Sequence, residues 1–311
     1  MKRRSIFLLF MVGIALNLIT AFGYQEKMVI NTGSLTDAFL PVVEVDTTEE
    51  PDVDLVLMRV SDAFEAGEYE KVCSLLFTIA DNKRAQYNIG IMYYDGLSVP
   101  WSYTEAAKWY RKAAEQGHAK AQNHLGMLYE LGNGVEQSYE EAARWYRKAA
   151  EQGDPIAQNN IGMLYASGNG VEQSYTEARD WWLKAAAQDC GDAENNIGVL
   201  YFNGAGVPQS YEEAMKWFLK AAEKNNTQAQ YHLGMIYYNG LDVIKSYIEA
   251  AKWFRKAAEL GQADSQYVIG CMYYNGEGVP ESEAEAKKWL TKAAEQGQSF
   301  AQELLVRFGW N

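Results

Sequence analysis

The sequence is poor in the residues that make reactive sites. Of its 311 residues only three are cysteines, Cys73, Cys190 and Cys271, and no C-x-x-C pair occurs. An odd, scattered set excludes a disulfide framework, and small buried apolar positions account for such thiols. Histidine is equally scarce. His118, His124 and His232 show no H-E-x-x-H spacing, so no metal site is expected. The S-x-x-K and K-T-G elements of serine acyl transfer are missing, and Ser61-Asp62 runs on to Ala63. Positive charge is short as well. Against 41 acidic residues stand 28 basic ones, and a net charge of −13 repels nucleic acid while favouring basic partners. No catalytic residue and no cofactor are expected. Apolar residues, at 48% with aromatics at 13%, are ample for a packed interior.

Long hydrophobic runs are missing too, except at the amino terminus. Lys2-Arg3-Arg4 precedes the apolar stretch from Ile6 to Ile19, then Thr20-Ala21-Phe22-Gly23. That order reads as a signal peptide over residues 1–23, cut after Gly23, and predicts an exported protein, periplasmic or secreted, with no membrane span after cleavage. Ile6 to Phe22 is 17 residues, the lower limit for a spanning helix, so an uncleaved anchor stays open. Residues 24–51, with Pro41, Pro51 and an acidic run, read as an extended or disordered linker. Val42, Val43 and Val45 within it could make one short edge strand.

What the chain has in abundance is one phrase, clearest from Ala121 to Gly153: AQNHLGMLYELGNGVEQSYEEAARWYRKAAEQG. Its opening Ala returns at Ala85, Ala121, Ala157, Ala193, Ala229 and Ala301, with Ser265 in the remaining slot, always 36 residues apart. A fixed period of this size marks a solenoid, whose units bury their apolar faces only against neighbours. With the opening Ala as position 0, apolar residues at 0, 4, 7 and 8 trace one helix face. Position 5 is Gly in six units (Gly90, Gly126, Gly162, Gly198, Gly234, Gly270). Glycine inside a helix costs about 1 kcal/mol relative to Ala, so its return predicts a second helix crossing close by. Position 8 is Tyr in all six, expected as a core aromatic. Gly96, Gly132, Gly168, Gly204, Gly240 and Gly276 then end the helix.

A second helix starts at Ser102, Ser138, Ser174, Ser210, Ser246 and Ser282, each followed three residues later by Glu. The spacing predicts a reciprocal capping box: the hydroxyl takes one helix N–H, and the carboxylate reaches back to the serine's own N–H. These pairs therefore read as caps, not as nucleophile and base. The helix runs on through one Trp per unit (Trp109, Trp145, Trp181, Trp217, Trp253, Trp289), expected in the core, and closes at Gly, or at Asp189 and Asn225. Before the first full unit, residues 52–84 suggest a degenerate helical hairpin. After the sixth, residues 298–311 suggest a capping helix, with Val306 in the glycine slot.

The phrase resembles the Sel-1-like repeat, a relative of the tetratricopeptide repeat, over residues 85–297. Ala106, Tyr110 and Ala113 also match the small-aromatic-small core of tetratricopeptide hairpins. The resemblance implies an all-α, right-handed superhelical solenoid of antiparallel helix pairs, with six full repeats, and an adaptor role with a protein or peptide as partner. An exported scaffold is the expected function. The alternative is an envelope ligand-binding protein like the cysteine-rich, penicillin-binding or β-lactamase-like members, from which the missing motifs and unpaired cysteines separate this chain. End-to-end assembly through the terminal helix, Phe300 to Trp310, is a third possibility.

In stacks of this kind, the first-helix face opposite the second helix lines the concave side and is the default docking surface. Position 2 carries Tyr87, Asn123, Asn159, Asn195, Tyr231 and Tyr267. Position 9 carries Tyr94, Glu130, Phe202, Tyr238 and Tyr274, with Ala166 in the third unit. Asparagine can pair with peptide backbone, and tyrosine offers amphipathic contact, so these eleven residues other than Ala166 are the candidate partner-binding set.

Overall fold

A computed structural model describes residues 52–310; the leader, the linker and its short strand lie outside the described residues. The described residues are helical, with no strand among them. A leading hairpin comprises α1 (Val53–Glu65) and α2 (Tyr69–Thr78). Six repeats follow in chain order, each with a first and a second helix: α3 (Lys83–Asp95) and α4 (Tyr103–Glu115), α5 (Ala119–Leu131) and α6 (Tyr139–Glu151), and α7 (Pro155–Ser167) and α8 (Tyr175–Ala186). Then come α9 (Gly191–Asn203) with α10 (Tyr211–Glu223), α11 (Thr227–Asn239) with α12 (Tyr247–Glu259), and α13 (Ala263–Asn275) with α14 (Glu283–Glu295). The last element is α15 (Ser299–Phe308). No helix among the described residues is long and apolar enough to cross a membrane.

These helices fall into two compact units, residues 52–174 and 175–310. In the first, Val56, Leu57 and Val60 of α1 pack with Leu76 of α2 and Ala85, Ile89 and Met92 of α3. In the second, Phe218 packs with Leu233 and Ile236, and Phe254 with Val268, Ile269, Met272 and Leu290.

Two contacts fix the direction of the first pair. Ser102 N donates to Tyr93 O at 2.9 Å, joining the start of α4 to the end of α3. Gln116 Nε2 donates to Gln86 Oε1 at 2.8 Å, joining the end of α4 to the start of α3. Start to end and end to start make an antiparallel pair. The repeated glycine lies at the crossing. A Cβ added to Gly90, Gly198 or Gly234 would meet the ring of Tyr110, Phe218 or Phe254 within 2.6 Å, inside van der Waals contact. The close crossing expected from position 5 is therefore present, and glycine admits the ring.

That ring is not the signature tryptophan. Tyr110, Tyr146, Trp182, Phe218, Phe254 and Leu290, one residue after each Trp, are wholly buried. Trp145 and Trp289 are buried, whereas Trp109, Trp181, Trp217 and Trp253 are half-buried. Each tryptophan carries the ammonium of a lysine one turn on, from Lys184 at 3.8 Å above Trp181 to Lys292 at 4.9 Å above Trp289. An indole shared between core and water suits a cation over its face. The position-8 tyrosines are likewise half-buried, because their hydroxyls reach outward. Arg147 donates to Tyr165 Oη at 2.8 Å, and Arg255 to Tyr273 Oη at 2.8 Å.

The capping box is only half made. Ser102, Ser138, Ser210, Ser246 and Ser282 each accept the N–H of the glutamate three residues on. The serine's own N–H, however, goes to the carbonyl of the preceding position-8 tyrosine in all six pairs. The glutamate is thus released, and it pairs instead with a cation one turn on, as Glu105 does with Lys108 at 2.6 Å. Asp189 and Asn225 adopt the expected left-handed conformation, at φ 63° and 60°. Val306 is 65% exposed, since among the described residues no further helix follows to lay a ring on it.

Candidate binding face

Side-by-side packing of successive first helices decides what remains open on the expected docking face. Within residues 52–174, position 2 of one repeat meets position 3 of the next. On α5 and α7 this contact is a hydrogen bond, Asn160 Nδ2 to Asn123 Oδ1 at 3.0 Å. On α3 and α5 it is aromatic, with the Tyr87 and His124 ring centroids 5.5 Å apart, and Tyr87 also stacks on His118 at 4.6 Å. On α9 and α11 the equivalent pair is Asn195 and His232, and Asn195 Oδ1 and His232 Nδ1 are both buried without a hydrogen-bond partner. The sequence reading missed this seam. Its signal was there, a column of Asn88, His124, Asn160, Asn196 and His232 in helices otherwise rich in apolar residues.

This packing corrects the expected row of docking residues. Tyr87, Asn123, Asn195, Tyr231, Tyr267, Phe202 and Tyr238 are buried by the chain itself. Tyr94, Glu130, Asn159 and Tyr274 are half-buried and keep an outward edge. Tyr274 stacks on Phe308 at 4.5 Å, so the terminal helix shares that edge. Tyr238 Oη donates to Glu277 at 3.0 Å.

Burial sets the electrostatics of the face. It pushes the Cys271 thiol up to about 12, with a hydrogen bond to Tyr267 opposing, and leaves no reactive thiolate. It also lowers His118 and His232 to about 4 each, and His118 is lowered further by Lys83 and Lys120. Burial raises the Glu130 carboxyl, partly offset by the Tyr146 hydroxyl that donates to it at 2.7 Å. The arrangement offers half-buried amide, carboxylate and phenol edges along first helices, which suits gripping an extended or helical segment. Among the described residues, no cluster of three or more His, Cys, Asp or Glu could hold a metal ion.

The Sel1 repeat model matches this chain six times, at residues 83–118, 119–154, 155–190, 191–226, 227–262 and 263–298. The chain belongs to the Sel1 repeat family. Among solved structures, it is similar to a Sel1 repeat protein from Oxalobacter formigenes, 32% identical with a TM-score of 0.72 over 76% of this chain and 98% of that one. It is also similar to c5321, a protective antigen present in uropathogenic Escherichia coli strains displaying an SLR fold. There the identity is 34% and the TM-score 0.64, over 80% of this chain and 56% of that one. No curated protein matches. The fold is an all-α Sel1 solenoid, a scaffold type that commonly mediates protein–protein interaction and is generally non-catalytic.

Proposed function

We propose that this Sel1 solenoid is an exported adaptor that holds a peptide or helix of a partner protein along the first-helix face. The observation that carries this reading is the set of Sel1 repeats with polar and aromatic side chains left half-buried on that face of the first unit, at Tyr94, Glu130 and Asn159. Half-buried amphipathic groups gain most from a partner that completes their burial. Export rests on the basic and apolar leader of residues 1–23.

The test is a photo-crosslinking residue placed at Asn159, and separately at Ile244, which is 92% exposed and lies in the loop between α11 and α12. Capture of one partner from the native envelope fraction by the first position and not the second supports the adaptor. Equal capture from both positions, or none, overturns it. Amino-terminal sequencing of the mature protein reads export directly, with Tyr24 as the expected first residue.

A further inference from the structure

Glu130 is the one charged side chain in the position-9 column, where the other units carry Tyr94, Ala166, Phe202, Tyr238 and Tyr274. It occupies that place against three penalties. It sits in the last turn of α5, where the helix dipole is negative and disfavours a carboxylate. It is half-buried, so it has lost part of its hydration. And among the described residues no cation pairs with it. Arg144, on the facing helix α6, pairs with Glu141 at 3.1 Å, and Arg147 donates to the Tyr165 hydroxyl at 2.8 Å. Arg111 of α4 is held by the Tyr129 hydroxyl. The polar partner that Glu130 does have is neutral: Tyr146 Oη, wholly buried, donates to Oε2 at 2.7 Å. This bond fixes the carboxylate in one orientation. The fold does not need the charge, since Ala166 fills the same slot in the next unit.

A carboxylate held in place, partly dehydrated and without a cation is a site for a cation brought from outside. We propose that Glu130 receives an arginine or lysine side chain of the segment bound on the first-helix face, and so selects basic partners. The half-buried Asn159 of α7 extends the site. The net charge of −13 draws a basic segment toward it. This assignment rests on the adaptor reading and adds the chemistry of the partner.

The test uses the full chain and two fluorescein-labelled octapeptide libraries, one with arginine fixed at its fourth position and one with the neutral isostere citrulline there. The arginine library is expected to bind at least about ten-fold tighter, with the difference shrinking as salt rises. Glu130→Gln keeps an acceptor for Tyr146 and should abolish the preference without lowering the melting temperature. Equal binding of the two libraries, or a preference that survives in Glu130→Gln, overturns this assignment and leaves the adaptor standing. Failure of both libraries to bind counts against both. A second readout is the titration of the Glu130 side-chain carboxyl by carbon NMR. Its midpoint should lie above the usual carboxylate range in the free chain and fall when the arginine peptide is added; a midpoint that does not move overturns the pairing.

Discussion

The side-chain amide of Gln152 donates to Gln122 Oε1 at 2.7 Å, closing the open end of the α5–α6 pair. The same bond joins Gln116 to Gln86 and Gln296 to Gln266, and a charged version joins Lys224 to Glu194. In the fifth repeat the donor is replaced by Leu260, which is 52% exposed, and Gln230 Oε1 is buried without a partner. Leu260→Gln should therefore stabilise the protein by about 1 kcal/mol, because it supplies the missing donor and hides no apolar surface that was packed. The urea midpoint reads it. The converse change, Gln152→Leu, should lower the stability by about 1–3 kcal/mol through the acceptor it strands. A Leu260→Gln variant no more stable than the parent would show that the amide bond is incidental.

Lys224 and Glu194 make that bond with full charges. The Glu194 side chain is 5% exposed and that of Lys224 32%, so removing the lysine alone leaves a carboxylate in the interior. Lys224→Met should cost about 3 kcal/mol, whereas Lys224→Gln with Glu194→Gln recreates the neutral pair of the sister repeats and should lie near the parent. A double-mutant cycle by urea unfolding separates the two. Destabilisation of the double variant equal to the sum of Lys224→Gln and Glu194→Gln alone would mean that the ion pair carries no coupling.

Gly234 faces Phe254 so closely that an added methyl carbon would lie 2.6 Å from the ring. Gly234→Ala gains about 1 kcal/mol of helix propensity and should still be destabilising by about 1–3 kcal/mol, because overpacking at the crossing outweighs it. Phe254→Leu should partly rescue it, since in the sixth repeat a methyl carbon added to Gly270 would lie 2.9 Å from Leu290, further than Phe254 allows at Gly234. Thermal melting of the single and double variants decides. A neutral Gly234→Ala would mean that the crossing has slack.

These residues also mark where the sequence could be read and where it could not. Period, helix pairing, the position-5 crossing and the serine caps follow from local rules repeated six times, and repetition averages out accidents at any one site. What escaped was relational. Ser102 offers its N–H to Tyr93 O, a partner from another helix, so the local capping-box rule assigned that N–H to Glu105. The ring on Gly198 is Phe218, not Trp217, because a one-residue rotation of the second helix decides which neighbour faces inward. The caps of the first helices vary from Asn82 to His118, Asp154 and Gln262, and share a geometry rather than a residue type. The candidate face suffered most. Whether Tyr231 or Tyr238 is open depends on how closely the adjacent first helix packs, which no single repeat encodes.

Acid should weaken the fold through its histidines, and the seam between Asn195 and His232 makes the effect separable. Burial lowers His232 to about 4, and its ring sits among Phe218 at 4.7 Å, Tyr231 at 5.8 Å and Phe202 at 6.1 Å. His118 is likewise lowered to about 4, and His124 is lowered. An unfolded histidine takes its proton near pH 6.5, well above the folded value. Over that window the unfolded chain binds more protons, so stability is full above about pH 6.5 and falls as pH drops toward 4. Asp95, Asp192 and Glu130 act in the opposite sense: burial raises their folded values, so protonation favours the folded chain as pH falls through them. A bare pH profile mixes both, and a difference between variants does not. His232→Asn removes one titrating group and recreates the pairing that Asn160 makes with Asn123, giving Asn195 Oδ1 the donor it lacks. Urea midpoints at pH 7, 5.5 and 4.5 should decline less steeply in His232→Asn than in the parent, with the variant at least as stable at pH 7. Parallel declines would place the acid sensitivity elsewhere, and a variant much weaker at pH 7 would show that the imidazole's contacts with Phe218 matter more than the seam.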